Sequence, residues 1–238
     1  ALVLAAGRST RLGAFAGDLT KPLLVLGGRS LLEWNLRWLA AAGISRVWIN
    51  LHHRGAAIEA AIGNGAAFGV CVRYSREERL LGTAGAWKRL AGEWRGTSLF
   101  VYGDNLVRFD LARMQAVHRA TGALATVALF DPAVHANTGI AGGRAACAAD
   151  GRIVAFQEGG EARSGLVNAG VYLLEPEVAA VIPDGVSDFG RDVLPGLAGT
   201  GRLHGHVLEE GAYCLGVDTP SRFREAERML AAGKVVPA

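Results

Sequence analysis

The feature that most constrains the fold is a regular alternation of short apolar runs with helical patterns over the first half of the chain. Apolar runs that suit buried strands stand at 1–6, 46–50, 70–75 and 98–103. Segments with helical spacing lie between them or just after them, at 30–43, 55–63 and 82–92. This alternation is typical of an α/β protein with a mostly parallel sheet. The first of these helices is well delimited, because Ser30 and Glu33 have the spacing of a capping box and Gly43 stands at its end.

The second half of the chain is less regular. Strand candidates at 125–130, 152–156, 167–175 and 212–217 are separated by glycine-rich turns. No linker, repeat or low-complexity segment interrupts the 238 residues. We therefore expect one domain over residues 1–238, in which the second half extends the sheet of the first.

Charge and composition exclude several classes of protein. The formal net charge is only +3, and basic residues are mixed with acidic ones, so the basic patch of a nucleic-acid binder is missing. No apolar segment approaches the roughly 20 residues that span a bilayer. The cysteines Cys71, Cys147 and Cys214 match no disulfide or metal spacing, which favours buried thiols in a reducing cytoplasm. We expect no nucleic-acid or membrane partner.

The loop after the first strand reads GRSTRLGAFAGDLTKP, and it favours a phosphate ligand. Loops in this position reach the crevice at the carboxyl ends of parallel strands, where ligands bind. Gly7 permits close backbone approach, while Arg11 and Lys21 supply positive charge. Lysine occurs only three times in the chain, so Lys21 is a selected position. The loop has neither the GxGxxG nor the GxxxxGK[ST] spacing of two common phosphate loops, and a solvated glycine loop is the alternative.

Asp104 directly follows the apolar run at 98–103. If that strand lies beside the first strand, the carboxylate of Asp104 emerges next to the glycine loop, where Mg²⁺ could bridge phosphates. The alternative is an ordinary turn or helix-capping aspartate.

Taken in order, several motifs resemble the sugar-1-phosphate nucleotidylyltransferases. They are LVLAAGRSTRLG with TKPLL, LLGTAGAWK at 80–88, VYGDN at 101–105, FQEGGE at 156–161, VNAGVYLLEPEV at 167–178 and GVDTPSRFREA at 216–226. Each motif is weak alone, but the ordered set spans nearly the whole chain. Within the family the chain is most similar to short bacterial mannose- or heptose-1-phosphate guanylyltransferases, and partly to N-acetylmuramate-1-phosphate uridylyltransferases.

The resemblance implies a Rossmann-like, three-layer αβα nucleotidyltransferase fold with a mixed, mostly parallel central sheet. It implies Mg²⁺ as cofactor and a reaction of a nucleoside triphosphate with a sugar 1-phosphate, giving a nucleotide-diphosphate sugar and pyrophosphate. We expect GTP with a mannose- or heptose-type substrate, a cytoplasmic enzyme and a possible homodimer. The alternatives are uridylyl transfer to N-acetylmuramate 1-phosphate or another sugar 1-phosphate, transfer to a non-sugar phosphate, and a non-catalytic nucleotide-sugar sensor.

The resemblance also assigns roles to residues. The catalytic residues are Arg11 and Lys21. The nucleotide-binding residues are Leu4, Ala5, Ala6, Gly7, Ser9, Thr10, Gly82, Thr83 and Asp104. The sugar-phosphate residues are Asn105, Glu158, Asn168, Gly170 and Arg191. The metal ligands are Asp104 and Asp218.

Three positions depart from the family pattern. Ser9 replaces a glycine of the opening loop. Gly216 stands where the commonest motif has its metal-binding aspartate, and Asp218, two residues on, is expected on the same face of the strand, one pleat further along. Its alternative role is to cap the helix that begins near Pro220, where Thr219 could serve instead. Gly159 replaces a lysine that grips the sugar phosphate, and Arg191 or Arg163 is expected to substitute for it.

The histidines His52, His53, His204 and His206 lie in no metal or catalytic-triad arrangement in the sequence. We expect them to be ordinary strand and turn residues.

Overall fold

A computed structural model of the chain describes residues 1–7, 12, 15, 20–140, 142–159 and 165–235. Ser9, Thr10, Arg11 and Arg163 lie outside the described residues, so the roles assigned to them stay predictions.

The strands and helices follow the alternation seen in the sequence. The strands are β1 (Leu2–Leu4), β2 (Val25–Leu26), β3 (Arg29–Ser30), β4 (Arg46–Leu51), β5 (Cys71–Arg76), β6 (Ser98–Tyr102), β7 (Asn105–Arg108), β8 (Ala125–Phe130), β9 (Ala136–Asn137), β10 (Arg144–Cys147), β11 (Ile153–Gln157), β12 (Leu166–Leu174), β13 (Leu203–Val207) and β14 (Tyr213–Gly216). The helices are α1 (Leu31–Ala41), α2 (Gly55–Ile62), α3 (Gly82–Lys88), α4 (Leu111–Thr121), α5 (Leu194–Leu197) and α6 (Pro220–Ala231). A π-helical turn, Phe189–Val193, leads into α5.

The central sheet is mixed and mostly parallel, as predicted. Within the described residues it has nine strands, and its main path runs β11-β10-β12-β6-β1-β4-β5. β1 pairs in parallel with β4 and with β6, β4 pairs in parallel with β5, and β13 pairs in parallel with β8. β12 runs antiparallel to its neighbours β6, β8 and β10. Because β6 lies beside β1, the segment after β6 emerges next to the opening loop, which is the arrangement expected for Asp104.

The period of two along the strands separates the two faces of the sheet. In β1, the side chain of Val3 joins a cluster with Leu36 and Ile58 from the helices α1 and α2. The adjacent Leu2 joins a second cluster with Trp87 of α3 and Leu194 of α5. Successive side chains of a strand point to opposite faces, so helices cover both faces and the three-layer αβα prediction is confirmed.

Helix α1 begins and ends as the sequence predicts. The N–H of Glu33 donates to Oγ of Ser30 at 3.1 Å, which satisfies one of the donors that a helix start leaves unpaired. Gly43 has φ +80°, the left-handed conformation that commonly ends helices.

A second, smaller sheet adjoins the metal-binding candidates, since Asp104 directly precedes β7 and Asp218 follows β14 by two residues. Its order is β7-β14-β9, with β14 antiparallel to β7. Leu215 of β14 and Phe223 of α6 are buried in the same cluster as Trp34 of α1. Helix α6 therefore packs against the small sheet through this cluster.

Some sequence expectations need correction. Only Cys214 is buried, whereas Cys71 is exposed and Cys147 is half-buried, so the prediction of three buried thiols was wrong for two of them. Cys71 opens β5, which forms one end of the strand path, so one of its sides faces solvent. Within the described residues, no helix combines the length and the apolar character that crossing a bilayer requires.

Candidate active site

A cleft opens at the carboxyl ends of the parallel strands β1, β4, β5 and β6. Its volume is about 340 Å³. Nine of the residues predicted for the nucleotide, the metal or catalysis line it, namely Leu4, Ala5, Ala6, Gly7, Lys21, Gly82, Thr83, Asp104 and Asp218. Other residues that line it were not predicted, and these are Leu12, Pro22, Asn50, Glu77, Leu80 and Tyr102. The end of a parallel sheet is where ligands of α/β proteins bind, so this cleft is the candidate active site.

Lys21 forms ion pairs with two acidic residues, Asp104 and Asp218. Its Nζ lies 2.7 Å from Oδ2 of Asp104, and it also donates to Oδ1 of Asp218. The lysine side chain is only 6% exposed, and Asp104 is 39% exposed. The two carboxylates are far apart in sequence, and the structure brings them to one cation.

The small sheet explains how these carboxylates meet. Gly216 of β14 pairs with Asn105 of β7, so Asp104 precedes one member of this pair and Asp218 follows the other by two residues. Thr138 fixes the end of β14, because its hydroxyl donates to the carbonyl of Gly216 at 2.6 Å and accepts from the N–H of Gly216 at 2.9 Å.

Asp218 was expected on the same face of the strand as Gly216, one pleat further along, and this prediction was wrong. β14 ends at Gly216, so Asp218 lies beyond the strand and no pleat relates the two positions. A side chain at position 216 has no room, since a Cβ there would lie 2.8 Å from Cγ1 of Ile140. Thr219 caps α6 by accepting from the N–H of Arg222 at 3.3 Å. The carboxylate of Asp218 is therefore not needed as a cap and faces Lys21.

Asp104 and Asp218 fit a magnesium site. Carboxylate oxygens are ligands that Mg²⁺ prefers, and the ion usually takes one or two carboxylates, with substrate phosphates and waters completing its shell. In the structure one ammonium group already contacts an oxygen of each, so both carboxylates can address a shared cation. The described residues contain no group of three or more acidic, His or Cys side chains arranged for a metal, so such a site would need oxygens from the substrate.

Two buried side chains that sequence reasoning missed hold one wall of the cleft together. Oδ1 of Asn50 accepts from the N–H of Ala5 at 2.8 Å, and Nδ2 of Asn50 donates to Oε1 of Glu77 at 2.8 Å. Oε2 of Glu77 accepts from the N–H of Leu81 at 3.0 Å. These bonds connect the ends of three strands to the start of α3. The signal was available, because Asn50 lies near the end of β4 and Glu77 directly follows β5.

The segment predicted to read the nucleobase lies at the start of α3. Gly82 has φ +75°, and a Cβ there would collide with the carbonyl oxygen of Ser187, so only glycine fits. The hydroxyl of Thr83 donates to Oδ1 of Asp188 at 3.0 Å and accepts from the N–H of Phe189 at 2.8 Å. The Gly82–Thr83 segment is thus both a helix start and a wall of the cleft.

The sugar-side candidates Asn168 and Gly170 lie in a bulge of β12. The register with β8 shifts between Asn168 and Tyr172. Nδ2 of Asn168 donates to the hydroxyl of Tyr172 at 2.6 Å, and its Oδ1 accepts from the N–H of Gly170 at 2.9 Å. Gly170 has φ +75°, and a Cβ there would lie 2.8 Å from the ring of Tyr102, which lines the cleft. Burial raises the pKa of Tyr102 well above its ordinary value, with a further contribution from Tyr172.

Glu158 and Arg191 flank the same turn. A Cβ on Gly190 would collide with the carboxylate of Glu158, so Glu158 lies directly against that turn. Burial, and then the nearby charge of Asp188, raises the pKa of Glu158. Arg191 is 63% exposed and lies 2.9 Å from Asp192 and 3.2 Å from Asp188. Two acids near Arg191 in the sequence therefore form ion pairs with its guanidinium.

The structure also describes two further positions considered for the sugar phosphate, Asn105 and Gly159. Asn105 is buried in β7, where its carbonyl accepts from Nδ2 of Asn35 at 3.0 Å. Gly159 has φ +73°, which a lysine rarely adopts, so the backbone itself disfavours the family lysine at that position. None of the predicted sugar-side residues is among those that line the cleft, neither these two nor Glu158, Asn168, Gly170 and Arg191. His204 and His206 lie in β13, as strand residues.

The chain matches the protein-family model described as "Nucleotidyl transferase" over residues 1–233. It is 34% identical over 228 residues to a mannose-1-phosphate guanylyltransferase of Mycobacterium tuberculosis, covering 94% of this chain and 62% of that protein. It is 27% identical over 237 residues to a D-glycero-alpha-D-manno-heptose 1-phosphate guanylyltransferase of Aneurinibacillus thermoaerophilus, covering 97% of each. In fold it resembles HddC from Yersinia pseudotuberculosis, crystallised with GMP-PN, with a TM-score of 0.78 at 21% identity over 95% of this chain and 97% of that one.

The cleft lies at the carboxyl ends of parallel strands and is lined by residues 5–7, Lys21, Asp104 and Asp218, a set of groups suited to phosphates and a cation. Because the family model covers almost the whole chain, this protein belongs to the nucleotidyl transferase family. The resemblance drawn from the motifs is thereby confirmed. The chain spans 62% of the length of the M. tuberculosis relative.

Proposed function

We propose that this protein transfers a nucleotidyl group to a sugar 1-phosphate, with GTP and a mannose- or heptose-type sugar 1-phosphate as the favoured pair. The products are a nucleotide-diphosphate sugar and pyrophosphate. The observation that carries the proposal is the convergence of Gly7, Lys21, Asp104 and Asp218 on one cleft at the strand ends.

The chemistry asks mainly for positioning and charge compensation. An oxygen of the sugar phosphate attacks the α-phosphorus of the triphosphate, and pyrophosphate leaves from the opposite side. Both reactants are anions, so the protein must hold them together and offset the charge that builds up. Lys21 is the described cation placed to do so, since it lines the cleft beside Gly7. We assign the same role to Arg11 from the sequence.

Asp104 and Asp218 are the residues that would hold magnesium, which when bound offsets phosphate charge beside the α-phosphorus. Their carboxylates address one cation, which is the property that this role requires. Thr138 keeps the end of β14 in register with β7, and in this way it sets where Asp218 stands.

The carboxylate of Glu77, which lines the cleft, supports guanine as the base. A carboxylate accepts hydrogen bonds and donates none, and its two oxygens offer about four acceptor sites. Asn50 and Leu81 use one site on each oxygen of Glu77, which leaves acceptors for a ligand in the cleft. Guanine carries adjacent N1–H and N2–H₂ donors, whereas uracil offers a single N–H between two carbonyl oxygens. Two of the relatives are guanylyltransferases, which also supports guanine as the base.

For the sugar phosphate we assign Glu158, Asn168 and Gly170 to the sugar hydroxyls, Asn105 to the same side, and Arg191 to the phosphate. Tyr102 links the two sides, because it lines the cleft and contacts both Gly170 and Tyr172. Arg191 is held by Asp188, which also binds Thr83 on the nucleotide side.

A substrate panel tests the proposal. The four nucleoside triphosphates are each combined with mannose, heptose, glucose and N-acetylmuramate 1-phosphates, and pyrophosphate release is measured in the presence of Mg²⁺. We expect the highest kcat/KM for GTP with the mannose or heptose substrate. UTP with N-acetylmuramate 1-phosphate as the best pair would replace the assigned substrates. Tight nucleotide-sugar binding without any pyrophosphate release would contradict catalysis and indicate a sensor.

A further inference from the structure

The ammonium group of Lys21 lies on the oxygens that a metal would need. Its Nζ is 2.7 Å from Oδ2 of Asp104 and donates to Oδ1 of Asp218 as well. The side chains of Lys21 and Asp218 are 6% and 13% exposed, so water screens their ion pair weakly. The remaining oxygen of Asp218 lies 3.5 Å from the guanidinium of Arg222.

We propose that Lys21 is an internal counter-ion that occupies the metal position before substrate arrives, and that the metal and the triphosphate displace it together. This inference rests on the proposed function, because it takes Asp104 and Asp218 as the metal ligands. It adds a second role for Lys21, as a competitor of the metal in the empty enzyme.

Charge and space both make the two cations exclusive. Mg²⁺ binds oxygens at about 2.0–2.1 Å in a nearly octahedral shell and tolerates little distortion. An ammonium group on the same two oxygens repels a divalent ion and fills its approach. The metal therefore binds both carboxylates only after Lys21 has moved to another anion.

The cleft supplies that other anion. Lys21, Gly7 and the Ala5–Ala6 segment line the same cavity, so a triphosphate against the opening loop offers oxygens within the same space as the lysine. Transfer of Lys21 from the carboxylates to the phosphates removes the ammonium group from the two oxygens that the metal would bind. Binding of nucleotide and metal is therefore positively coupled, and each tightens the other by the same factor.

The coupling predicts an unusual effect of removing the lysine. In Lys21→Met the apolar chain keeps most of the volume, but the two carboxylates lose the ammonium group that they share. We expect the variant without nucleotide to bind Mn²⁺ about tenfold or more tightly than the wild type, although its catalytic activity falls. GTP without sugar phosphate should tighten Mn²⁺ binding strongly in the wild type and much less in the variant.

Mn²⁺ binding is measured by the loss of the electron paramagnetic resonance signal of the unbound ion, with circular dichroism as a check of folding. Lys88→Met is the matched control, since Lys88 is also paired, with Asp184 and the carbonyl of Ile182, and should leave Mn²⁺ affinity unchanged. Asp104→Asn added to Lys21→Met should abolish the gain, which assigns the metal to this pair.

Equal or weaker Mn²⁺ binding by folded Lys21→Met would overturn the proposal. If that variant does not fold, the wild type decides, because Mn²⁺ affinity that is the same with and without GTP contradicts the exchange. Neither measurement needs turnover. An enzyme inactive on every substrate pair that still shows the gain would refute the proposed function and leave this inference standing.

Discussion

The residues assigned to the nucleotide and those assigned to the sugar phosphate stand on different kinds of backbone structure. On the nucleotide side, Ala5, Asn50 and Glu77 stand at or just after the ends of parallel strands, and short hydrogen bonds join them. On the sugar side, Asn168 lies in a strand bulge and Arg191 in a π-helical turn. The carboxyl ends of the strands lie at one edge of any parallel sheet. The side-chain directions in a bulge or a π-turn depend instead on the local backbone conformation. The first arrangement follows from the fold, whereas the second depends on local irregularities of the backbone.

The largest effect should come from the two carboxylates assigned to the metal. Asp104→Asn keeps the shape but removes a charge, and we expect kcat to fall on the order of 10²–10³, the scale for losing one electrostatic stabiliser. Asp218→Asn should behave alike, and a chelator should abolish turnover. Asp184→Asn, at an exposed pair with Lys88, is the control. Undiminished turnover in excess chelator would exclude the metal assignment.

Lys21 should come next. Lys21→Ala removes a cation whose phosphate partners gain charge during the reaction, so kcat should fall on the order of 10², at least as much as KM for GTP rises. Lys21→Arg should rescue little, because a planar fork does not replace a point charge in a buried site. We expect the same of Arg11→Ala from the sequence. A rise in KM alone would make Lys21 a binding residue only.

Variants at Glu77 distinguish two roles of this residue, which are recognition of the base and support of the strand ends. Glu77→Gln should lower the preference for GTP over UTP by about 2 kcal/mol, or roughly 30-fold, because a hydrogen bond to a charged acceptor is lost. In Asn50→Asp/Glu77→Gln the side chains can keep the bonds to Ala5 and Leu81 with the charge moved to position 50. This double variant should recover the melting temperature but not the base preference. Recovery of both would make Glu77 purely structural, and Glu78→Gln at the exposed neighbour serves as control.

Arg191 should give the smallest effect and the cleanest contrast between the two sides. Arg191→Ala should raise KM for the sugar 1-phosphate about tenfold, which is ~1.4 kcal/mol, with little change in KM for GTP. Arg228→Ala, an exposed helical arginine paired with Glu225, is the control. Equal changes in both KM values would show that Arg191 acts through Asp188 and Thr83 on the nucleotide side.

The sequence predicted the parts of the site that depend on strand ends. Asp104 was expected beside the opening loop if its strand lay next to the first strand, and β6 does pair with β1. Asn50 and Glu77 were missed although they obey the same rule, because neither belongs to a phosphate motif. The route of Asp218 was misjudged because the end of β14 and the side chain of Ile140, which excludes a side chain at Gly216, are tertiary details.

The sugar side was predictable only through the family resemblance. Nothing in the pattern VNAGVYLL indicates that the amide of Asn168 is bonded to Tyr172, since this depends on the bulge in β12. The absence of lysine at Gly159 becomes understandable only from its φ of +73°. The single domain over residues 1–238, the homodimer and the cytoplasmic location stay predictions.

The central claim is that the cleft joins two phosphates by attack on the α-phosphorus. The most direct test uses the sugar 1-phosphate that the panel selects, labelled with ¹⁸O in its phosphate, together with unlabelled GTP, and both products are analysed by mass spectrometry. We predict that all of the label appears in the nucleotide-diphosphate sugar and that the pyrophosphate is unlabelled. Label in the pyrophosphate, or release of inorganic phosphate in its place, would contradict the account.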